Sequence, residues 1–225
     1  MMTSLVFDKV IACSEEIIKR FQQTGEIVDE PNAKKFPWAN HVYTSLKYRR
    51  AHIDIVDARE NKKLWMMHVC IFPHTNDNSP IYGFDIICGP NKISGAFHDF
   101  SEAGDKNHFM MKWFEKRVTD LDWKKQRNLP EWAEAIFSPS MVAIGAVDSE
   151  EEIDKIIKLG IENLDYYLKH VGETQNWPND FHMAQNRYCY YQKQNPHTPR
   201  VMASLGLDEA MVKDFIQEVL FPIIQ

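Results

Sequence analysis

The chain has 225 residues, of which 44% are hydrophobic and 12% aromatic, and its formal net charge is −6. This length and apolar content allow a substantial core in one domain and exclude an intrinsically disordered chain. The acidic balance argues against generic nucleic-acid binding, because contact with phosphates needs an excess of Lys and Arg.

The sequence carries no pattern that directs it to a membrane or to secretion. No stretch approaches the roughly 20 apolar residues that a membrane-spanning helix needs. Residues 1–8 lack the basic and apolar regions of a signal peptide. The cysteines form no C-x-x-C pair, so neither a disulfide framework nor a zinc motif is indicated. We therefore expect a cytoplasmic protein with reduced, buried thiols at Cys13, Cys70, Cys88 and Cys189.

The predicted elements begin with a helix and continue with a run of strands. Apolar residues recur every three or four positions from Leu5 to Phe21, which predicts an amphipathic helix that ends near Gly25. Short alternating β-branched segments then predict an antiparallel meander. Its five strands are placed at 42–48, 52–57, 64–72, 81–88 and 92–98, and a sixth strand is placed at 140–145.

Helical periodicity returns after the meander. Helices are predicted at 106–122, 131–136, 150–171, 179–194 and 208–219. Strands gathered first and helices later favour an α+β fold, in which helices cover a central antiparallel sheet. The sequence shows no internal repeat and no linker, so a single domain over 1–225 is expected.

Three of the predicted strands carry ionisable side chains where a packed core would take aliphatic ones. These side chains are His52, Asp54, His68 and Asp85. Because side chains alternate across a sheet and neighbouring strands lie about 5 Å apart, a meander paired in sequence can bring all four to one face. A buried charge without a partner is costly, so such a cluster predicts proton chemistry.

A metal site is an alternative interpretation of the same residues. His52-x-Asp54 followed by His68 matches the 2-His-1-carboxylate pattern of non-haem Fe(II) oxygenases. That motif is short, and the distal histidine of the class usually lies much further along the chain. Glycine-rich nucleotide loops, G-x-S-x-G and H-E-x-x-H are all missing from the sequence. An enzyme built on this chain would therefore work without a recognisable nucleotide or flavin loop.

The segments around these residues resemble the ferredoxin-dependent bilin reductases. The matching segments are 52–54, 67–73, 82–90, 129–132 and 219–225. The resemblance implies a three-layer α/β/α sandwich with a tetrapyrrole held between the sheet and the C-terminal helices. It also implies a four-electron reduction of biliverdin IXα by a radical mechanism, with electrons from a [2Fe–2S] ferredoxin and with neither a metal nor another cofactor bound.

The resemblance also implies roles for the four ionisable residues. Asp85 would be the central acid beside the pyrrole nitrogens, His68 its relay partner, and His52 would tune or hydrogen-bond His68 from the next strand. Asp54 stands where family members that form phycocyanobilin have glutamate, and proton transfer is intolerant of errors of about an ångström. Phycoerythrobilin, formed through 15,16-dihydrobiliverdin, is therefore slightly favoured as the product, with phycocyanobilin as the alternative.

Other departures from the family pattern concern the contacts of the substrate. Gly145 stands where the family has an arginine that binds a propionate, so His197 and Arg200 are candidates to replace it. Asn195 lies at or beside the position where several relatives have a catalytic aspartate, and is predicted to contact substrate.

The partners implied by the resemblance are biliverdin and ferredoxin, and a monomer is expected. Because plant-type ferredoxins are acidic, basic clusters are predicted to dock the ferredoxin. The candidates are Lys34, Lys35, Lys124, Lys125 and Arg127. A non-catalytic bilin carrier and an Fe(II) oxygenase remain the alternatives from other classes.

Overall fold

The computed structural model describes residues 4–225. Residues 1–3, which belong to the segment inspected for a signal peptide, lie outside the described residues, and a single domain over 1–225 stays a prediction. Within 4–225 the strands are β1 Glu26–Val28, β2 Ala39–Thr44, β3 Tyr48–Ala58, β4 Leu64–Pro73, β5 Ile81–Cys88, β6 Ile93–Ser101 and β7 Val142–Val147.

The described helices range from single turns of four residues to long helices of 20 and 21 residues. They are α1 Leu5–Thr24, α2 Arg59–Lys62, α3 Phe109–Val118, α4 Glu131–Glu134, α5 Glu150–His170, α6 His182–Gln192, α7 His197–Ser204 and α8 Glu209–Asp214. Helix α8 continues directly into a π-helical segment, Phe215–Leu220. None of the helices within 4–225 combines the length and the apolar character that crossing a lipid bilayer requires.

The sheet is an antiparallel meander in which every strand pairs with its neighbour in sequence, from β1 to β7. This confirms the predicted sheet, with differences at its start. The predicted strand 42–48 is wrong in extent, because the chain turns at Ser45, whose hydroxyl accepts hydrogen bonds from the backbone N–H groups of Lys47 and Tyr48. The sequence analysis also missed β1, because its three exposed residues give no alternation.

The two faces of the sheet carry separate cores. Met67, Val69 and Ile71 of β4 pack into the core shared with α1, α3 and α5. Their neighbours Cys70 and Phe72 point the other way and pack against the C-terminal helices. The buried aromatic residues of that second core include Phe36, Tyr188, Phe215 and Phe221. The fold is therefore the predicted α+β sandwich of three layers, and the four cysteines are buried and unpaired.

Helix α7 was not predicted, because its sequence contains two prolines. Pro196 is the residue that precedes the helix, and Pro199 lies in its first turn. A proline is tolerated at both places, because the first N–H groups of a helix have no partner within the helix. Residues 197–200 therefore form the start of a helix, which determines where their side chains point.

Candidate active site

The strand register places the ionisable side chains in a row. Asp54 of β3 lies directly across from His68 of β4, and His68 lies directly across from Asp85 of β5. We call these three residues the acid–imidazole row. His52 lies two positions before Asp54, so it shares their face, and it pairs with Cys70. All four residues therefore point to the side of the sheet that the C-terminal helices cover.

Hydrogen bonds fix the two imidazoles. The Nδ1 atom of His68 lies 2.7 Å from Oδ1 of Asp85, a short distance typical of a charge-assisted hydrogen bond. The Nε2 atom of His52 lies 3.2 Å from the amide oxygen of Asn40, so its N–H donates to that oxygen. The two rings are 6.1 Å apart between centroids, in an edge-to-face arrangement. His52 thus supports His68 from the adjacent strand.

Burial decreases along the row. Asp54 is 2% exposed and His52 is completely buried. The side chain of His68 is 18% exposed, and that of Asp85 is 36% exposed. The row therefore begins at the buried carboxyl of Asp54 and ends at the partly exposed carboxylate of Asp85.

Burial and neighbouring charges shift the pKa values of these groups in different directions. Burial raises the pKa of Asp54 to about 7, although the nearby His68 opposes this shift. Burial also acts to lower the pKa of His68, but its attraction to and hydrogen bond with Asp85 outweigh burial, and the net pKa is raised. Burial and the charge of Arg50 place the pKa of His52 well below its ordinary value. A carboxyl group and an imidazole that both bind a proton more tightly than usual thus lie side by side.

Three atoms of this cluster lack a hydrogen-bond partner within the described part of the chain. They are Nδ1 of His52, Oδ1 of Asp54 and Nε2 of His68. Each such buried atom lowers the free energy of unfolding by about 1–3 kcal/mol. Three of them together therefore indicate a functional site rather than a stabilising contact. The same three residues offer ligand atoms within 4.8 Å of one another, which is the geometry behind the metal interpretation.

A cavity of about 380 Å³ lies between the sheet and the C-terminal helices. Asp54, His68 and Asp85 belong to its strand-built floor, together with Gly83 and Phe97. Its roof comes from α4, α6, α7 and the π-helical segment. The roof residues include Trp132, Phe137, Tyr188, Met202, Phe215 and Phe221. The chamber is therefore apolar, with its titratable groups concentrated on one wall.

The cavity separates the predicted substrate-binding residues into two groups. Asn195 and His197 line it. Arg200 is exposed and is not among the lining residues, so its predicted contact with substrate stays a prediction. Its exposure follows from helical geometry, because Thr198, Val201 and Met202 occupy the inward face of α7 and turn Arg200 outward. His52 does not line the cavity, and its ring contacts His68, which does.

The sequence analysis missed one acid of the cavity wall, Asp99. It is 1% exposed, and it accepts hydrogen bonds from the Ser101 hydroxyl at 2.6 Å and from the Ser138 backbone N–H at 2.9 Å. Burial raises its pKa to about 6. The predicted strand ended at residue 98, three residues before the end of β6 and one residue before Asp99. Continued alternation from Phe97, which pairs with Asp85, would have placed Asp99 on the cavity face.

We predict a stability change with a defined sign for Asp54. The pKa of Asp54 is about 7 in the folded chain and ordinarily about 4 in an unfolded one, so the folded state binds the proton more tightly. The stability that this proton confers is complete below pH 4 and is lost as the pH rises through 7. Asp54→Asn should therefore raise the free energy of unfolding at pH 8, relative to the parent, by on the order of 2–4 kcal/mol.

Urea unfolding at pH 5 and pH 8 measures this effect. The exposed carboxyl of Asp120 provides the matched control, because Asp120→Asn makes the same chemical change in solvent. Equal pH dependence in the parent and in Asp54→Asn would contradict the prediction.

Comparison with known proteins identifies the family. The family model described as ferredoxin-dependent bilin reductase matches residues 11–222. The phycocyanobilin:ferredoxin oxidoreductase of Gloeobacter violaceus is 28% identical over 192 residues, which cover 83% of this chain and 74% of the relative. The enzyme of the same name from Synechococcus sp. strain CC9605 is 25% identical over 221 residues, which cover 95% of this chain and 84% of the relative.

Solved structures agree with this result. The structure of PcyX has a TM-score of 0.70 and 31% sequence identity, and the match covers 96% of this chain and 99% of that one. The structure of tomato phytochromobilin synthase in complex with biliverdin has a TM-score of 0.73. This match covers 96% of this chain and 82% of that one. At 15% identity, this second structure shows the fold alone. The chain belongs to the ferredoxin-dependent bilin reductases, and it is an oxidoreductase that uses ferredoxin as its electron donor.

Proposed function

We propose that the protein reduces biliverdin IXα by four electrons to a phycobilin and that the acid–imidazole row supplies the protons. One observation carries the proposal: a carboxylate hydrogen-bonded to an imidazole at 2.7 Å lies on the floor of an apolar chamber, next to a buried carboxyl whose pKa is raised to about 7. A related fold has been solved in complex with biliverdin, which supports the choice of substrate.

The chemistry matches the groups that are present. Each reduced double bond takes up two electrons and two protons, so the full reaction consumes four of each. Reduced ferredoxin delivers single electrons, and the conjugated tetrapyrrole holds the unpaired electron between deliveries. Each added electron makes the bilin more basic, and a neighbouring acid can then protonate it. The chain must therefore supply positioned acids and exclude water, and it needs no electron carrier of its own.

The residues of the row have distinct tasks in this mechanism. Asp85, the most exposed of the three, protonates the bilin and recovers a proton from His68 through their hydrogen bond. Asp54 holds a second proton directly across the strand pair from His68. His52 is a positioning residue, because it does not line the cavity and its ring contacts His68 edge to face.

The product we favour is phycoerythrobilin, through 15,16-dihydrobiliverdin, with phycocyanobilin as the alternative. Asp54 is almost fully enclosed, and its carboxyl is one methylene closer to the backbone than that of a glutamate would be. A proton held that deep reaches the outer vinyl group poorly, because proton transfer requires hydrogen-bond reach. The relatives named phycocyanobilin:ferredoxin oxidoreductase support the alternative, at 25–28% identity.

The central prediction concerns Asp85. Asp85→Asn should bind biliverdin with unchanged affinity but lose at least about 100-fold in turnover, because the amide cannot act as an acid. After the first electron, the bound bilin radical should persist, and electron paramagnetic resonance and absorbance measure it. Asp120→Asn serves as the control and should turn over normally. Normal turnover by Asp85→Asn would remove this residue from its role, and binding without turnover in the parent would favour a carrier.

The preference for one product can be tested by lengthening one side chain. Chromatography of the parent's products against authentic pigments should show mainly phycoerythrobilin. Asp54→Glu should increase the share of phycocyanobilin, because the carboxyl moves outward by about the length of one C–C bond. Biliverdin titration of the variant shows whether the chamber still accepts the substrate. Phycocyanobilin as the parent's main product would contradict the preference.

One geometric observation supports the Fe(II) oxygenase hypothesis, namely the approach of His52, Asp54 and His68 to within 4.8 Å of one another. We expect metal removal to separate the two interpretations. Dialysis against a chelator should leave ferredoxin-dependent bilin reduction unchanged, because the conjugated substrate itself carries the electron. Loss of activity on dialysis, restored by Fe²⁺, would contradict the cofactor-free mechanism.

A further inference from the structure

The cavity adjoins a second space that is lined by cations, which we call the basic recess. It is lined by Lys92, Ser94, Lys125, Arg127, Asn128, Gly145 and Ala146. Ser94, Arg127 and Asn128 also line the main cavity, so the two spaces share a wall. None of these lining residues is acidic, although the whole chain carries a net charge of −6. Such a local excess of positive charge attracts an anionic group.

The backbone around Arg127 is fixed against the outer edge of the sheet. The N–H of Arg127 donates to the carbonyl oxygen of Ala143 at 2.9 Å, and the N–H of Gly145 donates to that of Lys125 at 3.0 Å. Gln126 forms an antiparallel bridge with Ile144 between these two bonds. The segment therefore behaves as a short additional strand beside β7, and it holds Arg127 at a defined place.

The guanidinium of Arg127 lies over the floor of the cavity. One of its N–H groups donates to the carbonyl oxygen of Ser94 at 2.5 Å, and its central carbon lies 5.7 Å from the centroid of the Phe97 ring. Phe97 pairs directly with Asp85 across β5 and β6. A guanidinium has five N–H donors, so the described hydrogen bond leaves most of them available to a ligand. The guanidinium of Arg127 thus lies over β6, next to the strand β5 that carries Asp85.

One of two facing glycines, Gly145, leaves the space that this guanidinium occupies. Gly95 and Gly145 pair across β6 and β7. A Cβ atom at Gly145 would clash with Nε of Arg127. At Gly95 a Cβ atom would lie 3.7 Å from Nη2 of Arg127, an ordinary contact. Any side chain at position 145 would therefore displace the guanidinium of Arg127. The position of this guanidinium thus depends on the glycine.

We propose that Arg127, seated over Gly145 and flanked by Lys92 and Lys125, binds a propionate carboxylate of the bilin. The inference rests on the proposed function, since it assigns a subsite to the same substrate. Guanidinium binds carboxylate through two parallel hydrogen bonds, which fix direction as well as distance. The tetrapyrrole is thereby anchored at one end of the floor, and this anchor determines which of its bridges lies above Asp85.

The test compares biliverdin with its dimethyl ester, which keeps the conjugated system and lacks both carboxylates. Absorbance titrations give Kd for the parent, Arg127→Ala, Gly145→Ala and the double variant. Arg127→Ala should weaken biliverdin binding about 10- to 100-fold, as expected for the loss of a charge-assisted pair. Binding of the ester should change less than about twofold. Gly145→Ala should weaken biliverdin binding similarly, and the double variant should be no weaker than Arg127→Ala.

Lys124 supplies the matched control. It is an exposed cation in the same segment, but it does not line the basic recess. Lys124→Ala should leave both Kd values within about twofold of the parent. Arg127→Lys should bind biliverdin with intermediate affinity, because it keeps the charge and loses the two parallel hydrogen bonds. Thermal melting of each variant verifies the fold, and if Gly145→Ala does not fold, the two Arg127 variants decide the question.

The possible failures can be told apart. If the parent binds and reduces biliverdin but Arg127→Ala binds it equally well, the inference is wrong and the proposed function stands. An increase in KM for ferredoxin, with no change in Kd for biliverdin, would assign the basic recess to ferredoxin docking and overturn the inference. If the parent itself fails to bind biliverdin, the proposed function is wrong.

Discussion

The pairing of β3, β4 and β5 in one register is the constraint on which the site depends. Asp54, His68 and Asp85 come together because each lies directly across from the next. A slip of one residue in either pairing would turn at least one of them to the opposite face and bury an ionisable group among aliphatic side chains. The aliphatic residues that alternate with them in the first core therefore fix the register, and with it the chemistry.

The sequence predicts the floor of the site better than its roof. Alternation within three strands is a local signal, and it predicts that His52, Asp54, His68 and Asp85 share one face if the strands pair in sequence and in register. The roof depends on how helices pack, and no local signal describes that packing. The direction of Arg200 could not be predicted for this reason, because it follows from a helix that has one proline before it and another in its first turn. Asp99 was missed only because a predicted strand was cut short.

Arg127 illustrates a second limit of sequence reasoning. Its sequence neighbours are charged and exposed, so the pattern indicates a docking surface. Its structural neighbours are a glycine on β7 and an aromatic ring on β6, so its exposed guanidinium also lies beside the cavity, where the sequence alone does not place it. In the sequence, Gly145 indicates only that the arginine of the family pattern is missing at this position. Only the structure shows which residue occupies the space beside Gly145, namely the guanidinium of Arg127.

The order of the strands along the sheet has a consequence for how such an enzyme can diversify. The floor is made by consecutive hairpins within residues 48–101, whereas the roof comes mostly from residues 128–221. The two surfaces are thus encoded in separate stretches of chain that meet only in the folded protein. Substitutions in the later stretch can reshape the chamber around a pigment without disturbing the acids beneath it. The same floor, which we propose to donate protons, can therefore serve chambers of different shape.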